Sequence, residues 1–147
     1  MNDFPPPALP CIPFSQVYED NIECKIKEID LFLKTTSPPY DTKDISDLLH
    51  INLSDLYYIM EKQSISSFNI LSFFITVKHS SSYICRLIKR QWKYTNIKYY
   101  TPQIVSDIYE LNPDKVSLAF KQSGLTCVES HNLKEIFGYI YVPVMNW

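Results

Sequence analysis

Two stretches sixty positions apart share one residue pattern. Ser46-Asp47-Leu48-Leu49-His50-Ile51-Asn52 aligns without a gap on Ser106-Asp107-Ile108-Tyr109-Glu110-Leu111-Asn112. Downstream, Leu56 falls on Val116, Ile59 on Ala119, Met60 on Phe120 and Ile65 on Leu125. Apolar residues recur at helical spacing on both sides of a short polar turn, so each stretch predicts two short helices and the turn between them. A repeat of this kind builds either paired binding units or a stacked solenoid.

Residues 41–65 give the first pair. Asp41 or Thr42 caps a helix through Leu49, His50 to Leu53 make the turn, and Ser54 caps a second helix to about Lys62. Its apolar set is Ile45, Leu48, Leu49, Ile51, Leu56, Ile59 and Met60. In residues 100–125, Thr101 is the cap, Pro102 takes the first helical position, Pro113 opens the second helix and Gly124 ends it. The arrangement resembles the helix-turn-helix motif. Its steeply crossing helices need apolar residues on the first helix, just after the turn and twice on the second. Ile45, Leu49, Ile51, Leu56 and Ile59 occupy those places, and Ser46 stands where a small residue lets the helices approach. His50 stands where the family prefers glycine for a left-handed turn residue. The resemblance implies the helix-turn-helix DNA-binding superfamily, without selecting a family inside it.

Charge divides the chain. Residues 1–61 hold four basic and eleven acidic side chains, whereas residues 62–106 hold seven basic and none acidic. The formal net charge of −2 hides this. Within the acid-free stretch, Ser81–Lys93 reads as a serine-capped basic helix, with Ile84, Leu87, Ile88 and Trp92 inward and Ser82, Arg86, Lys89, Arg90 and Lys93 outward. Lysine, arginine and serine side chains at a helix face are the groups that hold phosphates, and Arg86 and Arg90 lie one turn apart, in reach of a guanine edge. The expected DNA-contacting set is therefore Ser81, Ser82, Tyr83, Arg86, Lys89, Arg90 and Lys93, with Lys115 and Lys121 from the second repeat. The other reading of the run is a solvated face neutralised by the acidic half of the chain. Tyr57, Tyr58 and Tyr109 suit protein contact, because aromatics are enriched at interfaces.

The remaining elements follow from spacing and breakers. Pro5, Pro6, Pro7, Pro10 and Pro13 predict an extended arm over residues 1–17, with Phe4, Leu9, Ile12 and Phe14 able to pack along the body. Residues 18–35 read as a helix capped by Asp20 or Asn21, with Ile22, Ile26, Ile29 and Leu33 as its buried stripe. Ser67–Val77 is the most apolar helix and the expected buried centre, through Phe68, Ile70, Leu71, Phe73, Phe74 and Val77. Asn132–Phe137 reads as a short helix. Tyr139–Val142 reads as a strand stopped by Pro143, with residues 97–99 or the arm as partner. The expected fold is mainly α, a compact multi-helix domain with two helix-turn-helix-like repeats and a small C-terminal β element. Its divisions are an arm at 1–17, a helical part at 18–99 and a second part at 100–147.

Several function classes find no support. With Gly124 and Gly138 as its only glycines, the chain has no phosphate-cradling loop. His50, His79 and His131 lie far in sequence from any metal-ligand pattern, Cys85 or Cys127 with His131 has nothing local to make a dyad, and no cofactor or metal site is expected. Cys11, Cys24, Cys85 and Cys127 are spaced for neither zinc nor a disulfide framework and read as buried reduced thiols. No export signal or membrane-length apolar run is present, so a cytoplasmic, non-enzymatic protein is expected. Scarce alanine and glycine with abundant Ile, Lys, Asn, Ser and Tyr suggest an AT-rich bacterial or phage genome. Residues 104–120, followed by GYIYVPV, also resemble a LysM carbohydrate-binding module, though without its opening glycine-aspartate-threonine turn. The first expectation is a DNA-binding regulator that contacts duplex DNA. Behind it stand a helical interaction or adaptor protein with a protein partner or a second copy, and then the carbohydrate module.

Overall fold

A computed structural model describes residues 10–144. The protein is mainly α-helical, with one small antiparallel sheet. In chain order the elements are β1 (Cys11–Pro13), α1 (Phe14–Val17), a π-helical stretch (Tyr18–Glu23), α2 (Cys24–Thr35), α3 (Thr42–Leu49), α4 (Leu53–Lys62), α5 (Ile70–His79), α6 (Tyr83–Lys93), α7 (Pro102–Tyr109), α8 (Pro113–Ser123), a 3₁₀ turn (Ser130–Asn132), α9 (Leu133–Phe137) and β2 (Tyr141–Pro143). No helix among the described residues is long and apolar enough to cross a membrane.

The sixty-residue repeat is realised in backbone detail. His50 and Glu110 both adopt the left-handed conformation, φ 52° and 56°. In each turn the residue after them donates its amide back to the serine carbonyl, Ile51 to Ser46 and Leu111 to Ser106, both at 3.1 Å. The same serines return the bond through their hydroxyls, Ser46 to the Ile51 carbonyl and Ser106 to the Leu111 carbonyl. A small residue is therefore needed there for a buried hydrogen bond as well as for close approach. Asn52 caps α4 and Asn112 caps α8, each accepting from the first turn. The repeat also extends beyond what the alignment covered. Tyr40 bridges Phe68 and Tyr100 bridges Val128, again sixty apart, so each helical pair is closed at its base by an antiparallel bridge.

Ser54 is not the cap of α4. Asn52 takes that place, because its amide oxygen reaches the Asp55 amide at 2.9 Å, and the Ser54 hydroxyl donates to the same oxygen. The first helical run starts earlier than expected, at Phe14, directly after Pro13 and with no side-chain cap from Asp20 or Asn21. The arm is thus extended only to Pro13 among the described residues. Phe4 and Leu9, with residues 1–9, lie outside them. Phe14 is fully buried, and its ring lies edge-on to Tyr109 and Phe137. β1 supplies the partner for the C-terminal strand, pairing Cys11 with Pro143, Ile12 with Val142 and Pro13 with Tyr141. Proline fits because a two-stranded edge leaves its missing amide facing outward.

One apolar cluster joins all these parts, from Phe14 and Ile22 through Ile45, Leu49, Leu56, Phe73, Leu87, Val105 and Val116 to Ile136 and Ile140. Three expectations about burial fail, for α5, for Trp92 and for the cysteines. In α5, Phe73 and Val77 are buried with Phe68 just before the helix, but Ile70, Leu71 and Phe74 are exposed at 53%, 66% and 39%. The helix packs against α4 and α6 and is capped by Asn69, whose capping box with Ser72 sets its register. Trp92 is likewise open at 45%, its ring edge-on to Phe74. Of the cysteines, Cys85 is buried and unpaired, whereas Cys11, Cys24 and Cys127 are exposed.

Candidate nucleic-acid interface

The basic helix α6 forms over Tyr83–Lys93. Ser82 caps it, accepting from the Cys85 amide, and the Ser82 hydroxyl donates to the Leu49 carbonyl at 2.7 Å. The start of the basic helix is thereby tied to the end of α3 in the first repeat. Ile84, Cys85, Leu87 and Ile88 face the core. Burial pushes the Tyr83 hydroxyl well above its ordinary range, and that hydroxyl donates to the Tyr109 carbonyl at 3.0 Å.

The cations of α6 are held by the chain itself. Arg86 forks onto Glu110, Nε to Oε1 at 2.9 Å and the second branch to Oε2 at 3.0 Å, and it also donates to the Ser81 carbonyl. Arg90 places Nη1 2.6 Å from the same Oε1, a second ion pair on that carboxylate. The Arg86 hydrogen bonds are the first reason that the Glu110 carboxyl lies below its usual range; the Arg90 contact adds to them. Lys93 stands 3.5 Å from Asp107, which also accepts from the Tyr94 hydroxyl at 2.6 Å. That hydroxyl is the main cause of the lowered Asp107 pKa. Lys89 donates to the Lys78 and Ser80 carbonyls and so closes the end of α5.

Two acids from α7 and its turn therefore set the character of the face, and the charge run in the sequence did not reveal them. Glu110 occupies the left-handed position of the second turn, and Asp107 lies one helical turn before it. The signal was present: both fall just outside the acid-free stretch. Only the packing of α7 on α6 brings them against Arg86, Arg90 and Lys93.

On α8, Asp114, Lys115, Ser117, Leu118, Lys121 and Gln122 are exposed. Lys115 donates to the Tyr141 carbonyl at 3.0 Å, while Lys121 lies in the last turn. On α4 the outward residues include Asp55, Tyr57, Tyr58, Glu61 and Lys62, with Tyr57 and Tyr58 at 55% and 61% exposure. Tyr109 does not join them. It is only 3% exposed, packed between Phe14, Tyr18 and Phe137, because its position on α7 faces the N-terminal helix. Among the described residues no group of three or more His, Cys, Asp or Glu side chains is arranged to hold a metal ion. No family model matches the chain, and neither a curated protein nor a solved structure was found to match it.

Proposed function

We propose that the chain is a non-enzymatic protein that binds duplex DNA through its second helix-turn-helix unit. In this reading α8 meets the groove and the α6 cations flank it along the phosphate backbone. The observation that supports the reading is the pair of matching helix, turn and helix repeats, with left-handed turn residue, buried serine and asparagine cap in each. Of the two outward second helices, α8 is the one with the suitable chemistry, through Lys115, Lys121, Ser117 and Gln122. Its partner is anionic, and its contacts divide into backbone-positioning cations and a few base-reading side chains. The sharing of Glu110 by Arg86 and Arg90 makes the α6 face a reserve of positive charge, not a row of free cations.

Fluorescence polarisation against duplex DNA at two salt concentrations tests this. Binding that weakens steeply with salt, and weakens further in Lys115→Ala with Lys121→Ala, supports the proposal. Absence of binding at low salt sinks it.

A second reading, docking of a protein partner, is favoured at one place. Tyr57 and Tyr58 stand exposed on α4 beside Asp55 and Glu61, a surface that phosphates would avoid and that suits an interface. Stoichiometric capture of a protein that is lost in Tyr57→Ser with Tyr58→Ser, together with no duplex binding, would make this the function.

A further inference from the structure

Two apolar grooves lie on different parts of the surface and carry opposite charge. The first, between α5 and α6, is formed by Leu71, Phe74, Ile75 and Trp92, with Lys78 and Lys89 at its edge and no carboxylate. Leu71 is exposed at 66%, Phe74 at 39% and Trp92 at 45%, and the edge-on pair of Phe74 and Trp92 forms its floor. Among the described residues no carboxylate pairs with Lys78, and Lys89 is held only by carbonyls, so neither positive charge is compensated there. The second groove, between α2 and α3, is formed by Leu31, Phe32 and Leu48, with Glu28, Asp44 and Asp47 at its edge and no cation in its lining. Of its apolar residues Leu31 is exposed, at 62%; among the described residues Asp44 and Asp47 make no ion pair, although the Lys25 ammonium pairs with Glu28 at 3.0 Å and lies 3.5 Å from the Asp47 carbonyl.

Exposed leucine and tryptophan side chains gathered in this way are what a protein interface covers. The edges say what covers each one. A groove with two uncompensated ammonium groups selects an apolar surface bordered by carboxylates, and the same chain presents such a surface on its other half. We propose that the chain associates head to tail with further copies of itself, the α5–α6 groove of one copy seated on the α2–α3 groove of the next. The contact is heterologous: two different patches meet, so each copy keeps one groove free for another. The association uses neither Glu110 nor α8, and it stands or falls apart from the DNA reading.

Sedimentation velocity and light scattering on the full chain test it, without DNA. The expected result is a mass that rises with protein concentration beyond a dimer or to a closed ring. It should fall back toward the monomer between about 50 mM and about 500 mM salt, where ionic contacts are screened. Leu71→Glu blocks the basic groove, and Asp44→Lys with Asp47→Lys blocks the acidic one. All three positions are exposed, so the core is untouched, and circular dichroism checks the fold. Each variant alone is expected to be monomeric, while an equimolar mixture gives a capped one-to-one dimer through the one intact pair of grooves. A wild-type chain that stays monomeric at low salt up to high concentration overturns the proposal. So does an association that both variants leave intact, or a mixture of the two that does not dimerise.

Discussion

The two helical pairs, α3–α4 and α7–α8, have one backbone and two surfaces. Along 51–60 and 111–120 buried and exposed positions alternate alike, and the same serine, left-handed residue and asparagine cap hold each turn. The differences lie in what the fold leaves free. At the left-handed position the first unit has His50, whose pKa is lowered mainly by burial, and the second has Glu110, clamped by two arginines. On the second helix, Tyr57, Tyr58 and Glu61 stand where Ser117, Leu118 and Lys121 stand in the other. Fold in such a unit rests on a few buried positions and caps, so the sign and chemistry of its outer face vary without cost to the core.

Substitutions at matched positions probe that comparison. The largest difference is expected at the pair Leu49 and Tyr109. Tyr109→Ala should cost about 3–5 kcal/mol, because it removes an aromatic that Phe14, Tyr18 and Phe137 pack against. Chemical denaturation measures this, and hydrogen exchange should show loss of protection spreading to residues 14–17. Leu49→Ala should cost about 2–5 kcal/mol and leave that segment protected. A smaller and equal effect is expected at the turns. Ser46→Ala and Ser106→Ala should each cost about 1–3 kcal/mol by leaving a buried carbonyl without its hydroxyl. An effect in one unit only would break the equivalence. Smaller still, His50→Gly should stabilise by about 0.5 kcal/mol, since glycine adopts the left-handed conformation without strain. Glu110→Gly should gain less or nothing, because it also releases Arg86 and Arg90.

Acid should separate the units as well. The Glu110 carboxyl is held below its ordinary value of 4.5 by the Arg86 hydrogen bonds first, and Asp107 is held low chiefly by the Tyr94 hydroxyl. Carboxyls with depressed folded values contribute stability that is present above the unfolded value and lost as pH falls through the folded one. Thermal unfolding should therefore show a stability loss below that ordinary value, and the loss should be shallower in Glu110→Gln. An unchanged acid limb in that variant would show the ion pairs to be without effect.

The parts of the fold governed by local chemistry were legible. Thr101, Pro102, Pro113 and Gly124 each signal a helix end by backbone geometry alone, and each does what its type dictates. Ser54 was read as the cap of α4, but Asn52 takes that place and the helix begins one residue after it, since the Asn52 side chain reaches the first-turn amide just as a serine can. Burial of α5 and Trp92 was misread because hydrophobicity says that a side chain favours burial, not that a neighbour will cover it. Tyr109 was misread as surface for the converse reason, since its neighbours Phe14 and Phe137 come from the two ends of the chain. The basic face was legible as charge but not as an ion-pair network, because Glu110 faces Arg86 only after α7 folds back on α6.

The direct test of the DNA-binding account is duplex affinity of Glu110→Gln against wild type at low salt, with the fold checked in parallel. If the second unit works through a cation reserve that Glu110 holds back, the variant should bind several-fold more tightly. Its salt dependence should then steepen by about one unit of log–log slope as freed arginines reach phosphates. Unchanged or weaker binding in a folded variant would contradict the account.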